Sequence, residues 1–128
     1  MKEEEHKEAF EIHKKTIFEW ALDVQGIEGA QRIVGLHASR GIIELLSKFL
    51  HEKKLISEGF QLNHRWFKIK KVIDKLPAFE SKEEIVKNLV RLENLCENLS
   101  YGKKKPASEI EEVVNLFTKL EGEIKAIS

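Results

Sequence analysis

Apolar residues recur three and four positions apart along most of this chain, the spacing that lays one oily stripe down an α-helix. Over residues 4–25, Phe10, His13, Ile17, Trp20 and Val24 keep that rhythm, and Gly26 and Gly29 bracket a turn. Over 28–55 the stripe is Ala30, Ile33, Val34, His37, Gly41, Ile42, Leu45, Phe49 and Leu50, before a break at Ser57, Glu58 and Gly59. The spacing predicts a shorter third helix over 62–76, with Leu62, Trp66, Ile69, Ile73 and Leu76 in register. Pro77 ends it, because the residue before proline is pushed out of the helical region. Ser81 and Glu84 have the spacing of a capping box. The fourth helix carries Ile85, Leu89, Leu92, Cys96 and Leu99 and stops at Tyr101-Gly102. Pro106 and Ser108 open the last, whose seam is Ile110, Val113, Phe117, Leu120, Ile124 and Ile127. Sustained spacing with short connections predicts an all-α, antiparallel four- to five-helix bundle, one domain over 1–128.

Composition agrees with that pattern. Only two prolines and seven glycines interrupt 128 residues, and the abundant Glu and Lys are good helix formers. The formal net charge is zero, which argues against bulk attraction to nucleic acid. The charge is unevenly spread, however. Between Lys48 and Lys75 stand eight Lys or Arg residues against three acids. No run is long and apolar enough to span a bilayer, and the acidic start MKEEEHKE has no apolar leader, so the expected location is cytoplasmic. The lone Cys96 lies on an apolar stripe, where a buried, inert thiol is expected. There is no P-loop, dinucleotide fingerprint or nucleophile elbow, so no cofactor is expected. Glu3 and His6 form the one Glu-x-x-His pair, at an end expected to fray, so no metal is expected either.

Arg32 and His37 have the four-residue separation found at the active site of some RNA-cutting helical domains. On one continuous helix, residues five apart point about 140° away from each other, which separates the two groups. His37 has nearer company in Arg40, one turn on. These two are candidates for a polar pocket holding a phosphate or small ligand. The alternative is that His37 and His13, both on apolar stripes, meet across the bundle as partly buried histidines. Ala38, Ser39 and Gly41 favour close packing of another helix or a dimer partner. The most basic stretch is NHRWFKIKK, residues 63–71. On a helix, His64, Lys68 and Lys71 would form one stripe, flanked by Arg65 and interleaved with Trp66 and Phe67. Basic groups beside aromatic faces can hold phosphates and stack bases. The expected nucleic-acid contacts are His64, Arg65, Lys68 and Lys71; the alternative is a solvated face with Trp66 in the core.

The block LENLCENLSYGKKKPASEIEEVVNLFTKLEGEI resembles the end of HEPN domains, nucleotide-binding helical bundles in which a helix often closes on a tyrosine-glycine step. Here that step is Ser100-Tyr101-Gly102. Two long leading helices, a turn after Leu55 and the dipeptide His64-Arg65 also look like that family. The resemblance implies a helical bundle, commonly a homodimer, that partners a nucleotidyltransferase in toxin-antitoxin or related systems and binds RNA or a nucleotide. Catalytic members cut RNA without metal, using an arginine and a histidine near the start of the final long core helix. The stretch from Arg91 to Tyr101 has no histidine, and Arg32 and His37 lie in a different helix. The resemblance therefore implies a noncatalytic accessory domain. The alternatives are a metal-independent endoribonuclease and a structural homodimerisation module.

Overall fold

A computed structural model describes residues 3–128. Its elements are α1 (Glu3–Lys15), a wide-turned π-helical continuation (Thr16–Gln25), the single turn α2 (Gly26–Gly29), α3 (Gln31–Glu52), α4 (Lys82–Ser100) and α5 (Ala107–Ala126). Two 3₁₀ turns, His64–Lys68 and Lys70–Lys75, lie in the connection between α3 and α4. There is no strand among the described residues, and the fold is an all-α bundle. None of its helices is long and apolar enough to cross a membrane.

Side-chain partners give the helix directions. Along α1, His6 meets Glu44 and His13 meets His37. Arg32 reaches the carbonyl of Ser100, while Gly35 lies against Cys96 and Leu99. Asn88 binds Glu123, and Arg91 binds Glu112. In each pair rising numbers meet falling ones, so α1 and α4 run antiparallel to α3, and α5 runs antiparallel to α4. Helix α3 is the central rod. Val34, Ala38, Ile42, Leu46 and Leu50 are fully buried along it, as are Ile110, Phe117 and Ile124 of α5.

Two close approaches fix how α3 sits. A Cβ added at Gly35 would stand 2.8 Å from the Leu99 Cβ and 3.0 Å from the Cys96 carbonyl oxygen. One added at Gly41 would stand 2.9 Å from the His13 Cβ. The small residues in this part of the sequence thus serve packing against α4 and α1.

Several sequence expectations are corrected. The third α-helix over 62–76 does not form. Instead, Asn63 caps the first 3₁₀ turn, its Oδ1 accepting from the Arg65 N–H at 2.9 Å. Ile69 is extended and exposed, and Phe67, Val72 and Leu76 point inward. The β-branched and aromatic residues here are indifferent helix formers. Asn94 also donates to the Lys68 carbonyl at 3.1 Å, diverting it from a helical ladder. The seam through Trp20 and Val24 is overturned too: both are exposed, and Ile17 and Ala21 are buried. The π turns hold more residues per revolution than an α-helix, so they shift the inward phase. Ser81 does precede α4, but in a left-handed conformation (φ 59°) without a side-chain cap, so no capping box forms. His6 is not frayed: it is buried, bound to Glu44 at 2.6 Å and stacked on His51.

Other boundaries fall where the sequence puts them. Leu76 is extended ahead of Pro77, and α4 ends before Gly102, whose φ of +86° suits a residue without a Cβ.

Candidate functional site

The strongest site lies in a cleft of about 250 Å³ between α3, the end of α4 and the first 3₁₀ turn. Its cations are Arg32 and Arg40 from α3 and Arg65 and Lys68 from the turn. Glu93 and Glu97 of α4 are its acids, and the exposed Tyr101 stands at its rim. The walls therefore carry an excess of positive charge in a chain of zero net charge.

The turn is positioned by its own sequence and by α4. Phe67 anchors it in the core. His64 Nδ1 donates to Glu93 at 2.8 Å, and Lys68 Nζ donates to Glu97 at 3.2 Å. Glu93 is 4% exposed. A buried carboxylate requires a partner, and the imidazole supplies it. With Nδ1 donating to the carboxylate, His64 Nε2 is left as an acceptor in its neutral form. It receives the Arg40 Nε–H at 3.4 Å, at the long end for a hydrogen bond. Glu93, His64 and Arg40 thus form one polar chain across the cleft. Among the described residues only Nε of Arg40 is engaged, which leaves both Nη groups to donate elsewhere.

Arg32 has a different job. Its Nη1 donates to the Ser100 carbonyl at 2.9 Å and its Nη2 to that of Gly102 at 3.2 Å. Gln31 donates to the carbonyls of Leu99 and Lys103 and accepts the Lys105 N–H at 2.7 Å. The last carbonyls of a helix lack partners within it. The start of α3 supplies these to the end of α4, which fixes Tyr101 at the cleft rim.

His37 faces another way. His13 and His37 share a hydrogen bond between their Nδ1 atoms at 2.9 Å, so one ring donates and the other accepts. Burial, then the charges of His37 and Arg40, hold His13 down to about 4. Burial and Arg40 lower His37 as well. Arg32 and His37 consequently serve different interfaces of α3, toward α4 and α1 respectively, and do not form one acid-base unit.

Of the six residues singled out in the sequence, the structure brings Arg40, His64, Arg65 and Lys68 onto one cleft. His37 is not on its wall. Lys71 is not on its wall either; it borders a surface beyond the turn with Trp66 and Lys75, which Arg65 and Lys68 also border. Arg65 and Lys68 therefore stand between the cleft and the surface that carries Lys71. Glu93 was missed, although a signal existed: Leu89, Glu93, Cys96 and Ser100 share one helical face, and Glu93 is the one acid on it. Cys96 also borders the cleft, but burial pushes its thiol up to about 12, so it is no nucleophile at neutral pH. No group of three or more His, Cys, Asp or Glu side chains that could hold a metal ion occurs among the described residues.

Comparison with family models, curated proteins and solved structures finds no match to this chain.

Proposed function

We propose that this chain is a noncatalytic HEPN-like accessory domain that binds a phosphate-bearing nucleotide in the cleft between α3 and α4. The observation that carries this reading is the convergence of Arg40, Arg65 and Lys68 on one small concavity with Tyr101 at its rim. Guanidinium groups match phosphate oxygens in geometry as well as charge. An aromatic ring at the edge gives a base a face to stack on. The separation of Arg32 from His37 supports a binding role over RNA cleavage by that pair. A nucleotidyltransferase partner, as the HEPN resemblance implies, would carry out the chemistry on the nucleotide this domain holds.

Calorimetric titration with AMP and ATP tests the proposal. The intact chain binds, binding weakens from 50 to 200 mM salt, and Arg40→Ala lowers affinity about tenfold, roughly 1.4 kcal/mol. His37→Ala leaves affinity unchanged. Absence of nucleotide binding overturns the reading, and cleavage of RNA by the purified chain, lost in His37→Ala, replaces it with the endoribonuclease.

A separate observation favours homodimerisation as a second property. Ile12, Trp20 and Val24 are each more than 60% exposed, four or eight residues apart on the first helix and its continuation. Lys15 and Glu19 lie between them with opposite charges. An antiparallel pairing of two copies about Thr16 sets Ile12 against Trp20 twice. Sedimentation equilibrium gives a dimer for the intact chain and a monomer for Trp20→Ser; a monomeric intact chain overturns this.

A further inference from the structure

A second cleft, of about 510 Å³, opens on the far side of Arg40 and His64, between α1, α3 and residues 61–66. Arg40, His64 and Arg65 border both clefts, so they form a ridge between them. The second cleft has its own aromatic wall in Trp66 and two amide side chains, Gln61 and Asn63. The first has Tyr101. Each cleft therefore offers what a nucleobase needs, an aromatic surface and polar groups for its edge. The ridge offers what a phosphate needs, two guanidinium groups.

Small-molecule sites usually enclose roughly 300–1,000 Å³. The first cleft lies just below that range and the second within it, so the two, joined at the ridge, have room for a ligand longer than one nucleotide. Their charges differ as well. The first adds Arg32 and Lys68 to the ridge cations, offset by Glu93 and Glu97, whereas the second adds Glu44 and no further cation, so the first is the less acidic of the two. A ligand with a terminal phosphate is therefore oriented with that phosphate toward the first cleft.

Resting on the nucleotide-binding reading above, we infer that the two clefts are adjoining nucleoside subsites for a 5′-phosphorylated dinucleotide unit, with its linking phosphate on the ridge of Arg40, His64 and Arg65. The unit is either a free dinucleotide or the 5′ end of a single-stranded RNA.

The test uses the full chain carrying Trp20→Phe, so that Trp66 is the remaining indole. AMP and UMP are titrated against pApA and pUpU, with intrinsic fluorescence and calorimetry read together. At least one dinucleotide binds ten or more times tighter than its mononucleotide and changes Trp66 emission. Arg65→Ala, whose side chain is exposed, removes most of that gain; Arg40→Ala does the same if its fold is intact by circular dichroism. A 5′-phosphorylated hexanucleotide binding as tightly as the dinucleotide identifies an RNA end as the source, and its failure to bind identifies the free dinucleotide. Equal affinity for mono- and dinucleotide overturns the two-subsite arrangement and leaves the single-nucleotide reading standing. Binding of neither overturns both.

Discussion

Helix α3 crosses α4 and α1 by the same device and to different ends. At both crossings a glycine lets the neighbouring helix come close, Gly35 under Leu99 and Gly41 under His13. Beside Gly35 the helices part around arginines, a histidine and two glutamates, leaving an open cleft. Beside Gly41 the contact is lined by imidazoles, His13 on His37 and, farther along, His6 on His51 and Glu44, and the second cleft opens beyond His13. A glycine contact sets how near two helices lie; the side chains flanking it decide the charge of the space beside it. On the α4 side, long cations give the open space an excess of positive charge. On the α1 side, His13 and His37 bond each other through their Nδ1 atoms, and the cleft beyond them adds a glutamate, Glu44, where the other side adds cations.

The most drastic way to break the comparison is to separate the helices. Gly35→Val and Gly41→Val each force a branched side chain against backbone or Cβ atoms that cannot swing away. Overpacking of this kind costs about 3 kcal/mol, read as a lower urea midpoint in both variants. A drop in only one would show that the two crossings are not equivalent.

Acid should act on the α1 side. The unfolded chain takes up a proton on His13 near pH 6.5, whereas the folded chain does so only near about 4. The stability that depends on a neutral His13 is therefore whole above pH 6.5 and is lost as pH falls toward 4. Urea midpoints at pH 7.5 and pH 5 measure it. The intact chain loses more between them than His13→Asn does; equal losses would remove the histidine seam from the explanation.

This contrast between the two sides was partly legible in the sequence. The apolar stripes place α3, α4 and α5 and bring His13 and His37 together, because both ride on faces that a repeating spacing makes visible. Local chemistry also marks the stops at Pro77 and Gly102. The site is different. His64 and Lys68 are set by Glu93 and Glu97, and the Lys68 carbonyl by Asn94, all more than twenty residues away. No local period encodes such partners. A helical reading of 62–76 therefore grouped His64, Arg65 and Lys68, which do border the cleft, but gave them the wrong backbone and did not foresee that Lys71 lies off its wall.

The buried acid on the α4 side gives a smaller effect. Glu93→Leu removes the acceptor from His64, which is partly exposed and can turn to water, so the cost is about 1 kcal/mol. Glu93→Gln keeps an acceptor and recovers most of it. The more telling readout is His64 itself: its imidazole nuclear magnetic resonances should broaden or split in the leucine variant and stay single in the glutamine variant. Unchanged resonances in both would mean that Glu93 does not hold the ring.

The smallest effect on stability, and the sharpest contrast between the sides, comes from two lysines. Lys68 binds Glu97 at 3.2 Å with both side chains more than 40% exposed; Lys14 binds Glu121 at 2.8 Å, and that glutamate is 12% exposed. Exposed ion pairs contribute about 0–1 kcal/mol, so Lys68→Ala should move the urea midpoint by less than about 0.5 kcal/mol. Lys14→Ala should cost somewhat more, because it leaves a poorly solvated carboxylate with Lys125 as its remaining cation. Affinity for AMP should follow the opposite order. Lys68→Ala weakens it severalfold, and the deficit shrinks as salt rises and screens the exposed charge. Lys14→Ala leaves it unchanged at every salt concentration. Were the two variants to affect binding alike, the nucleotide would be responding to the overall charge of the chain, and the cleft would lose its claim to be the site.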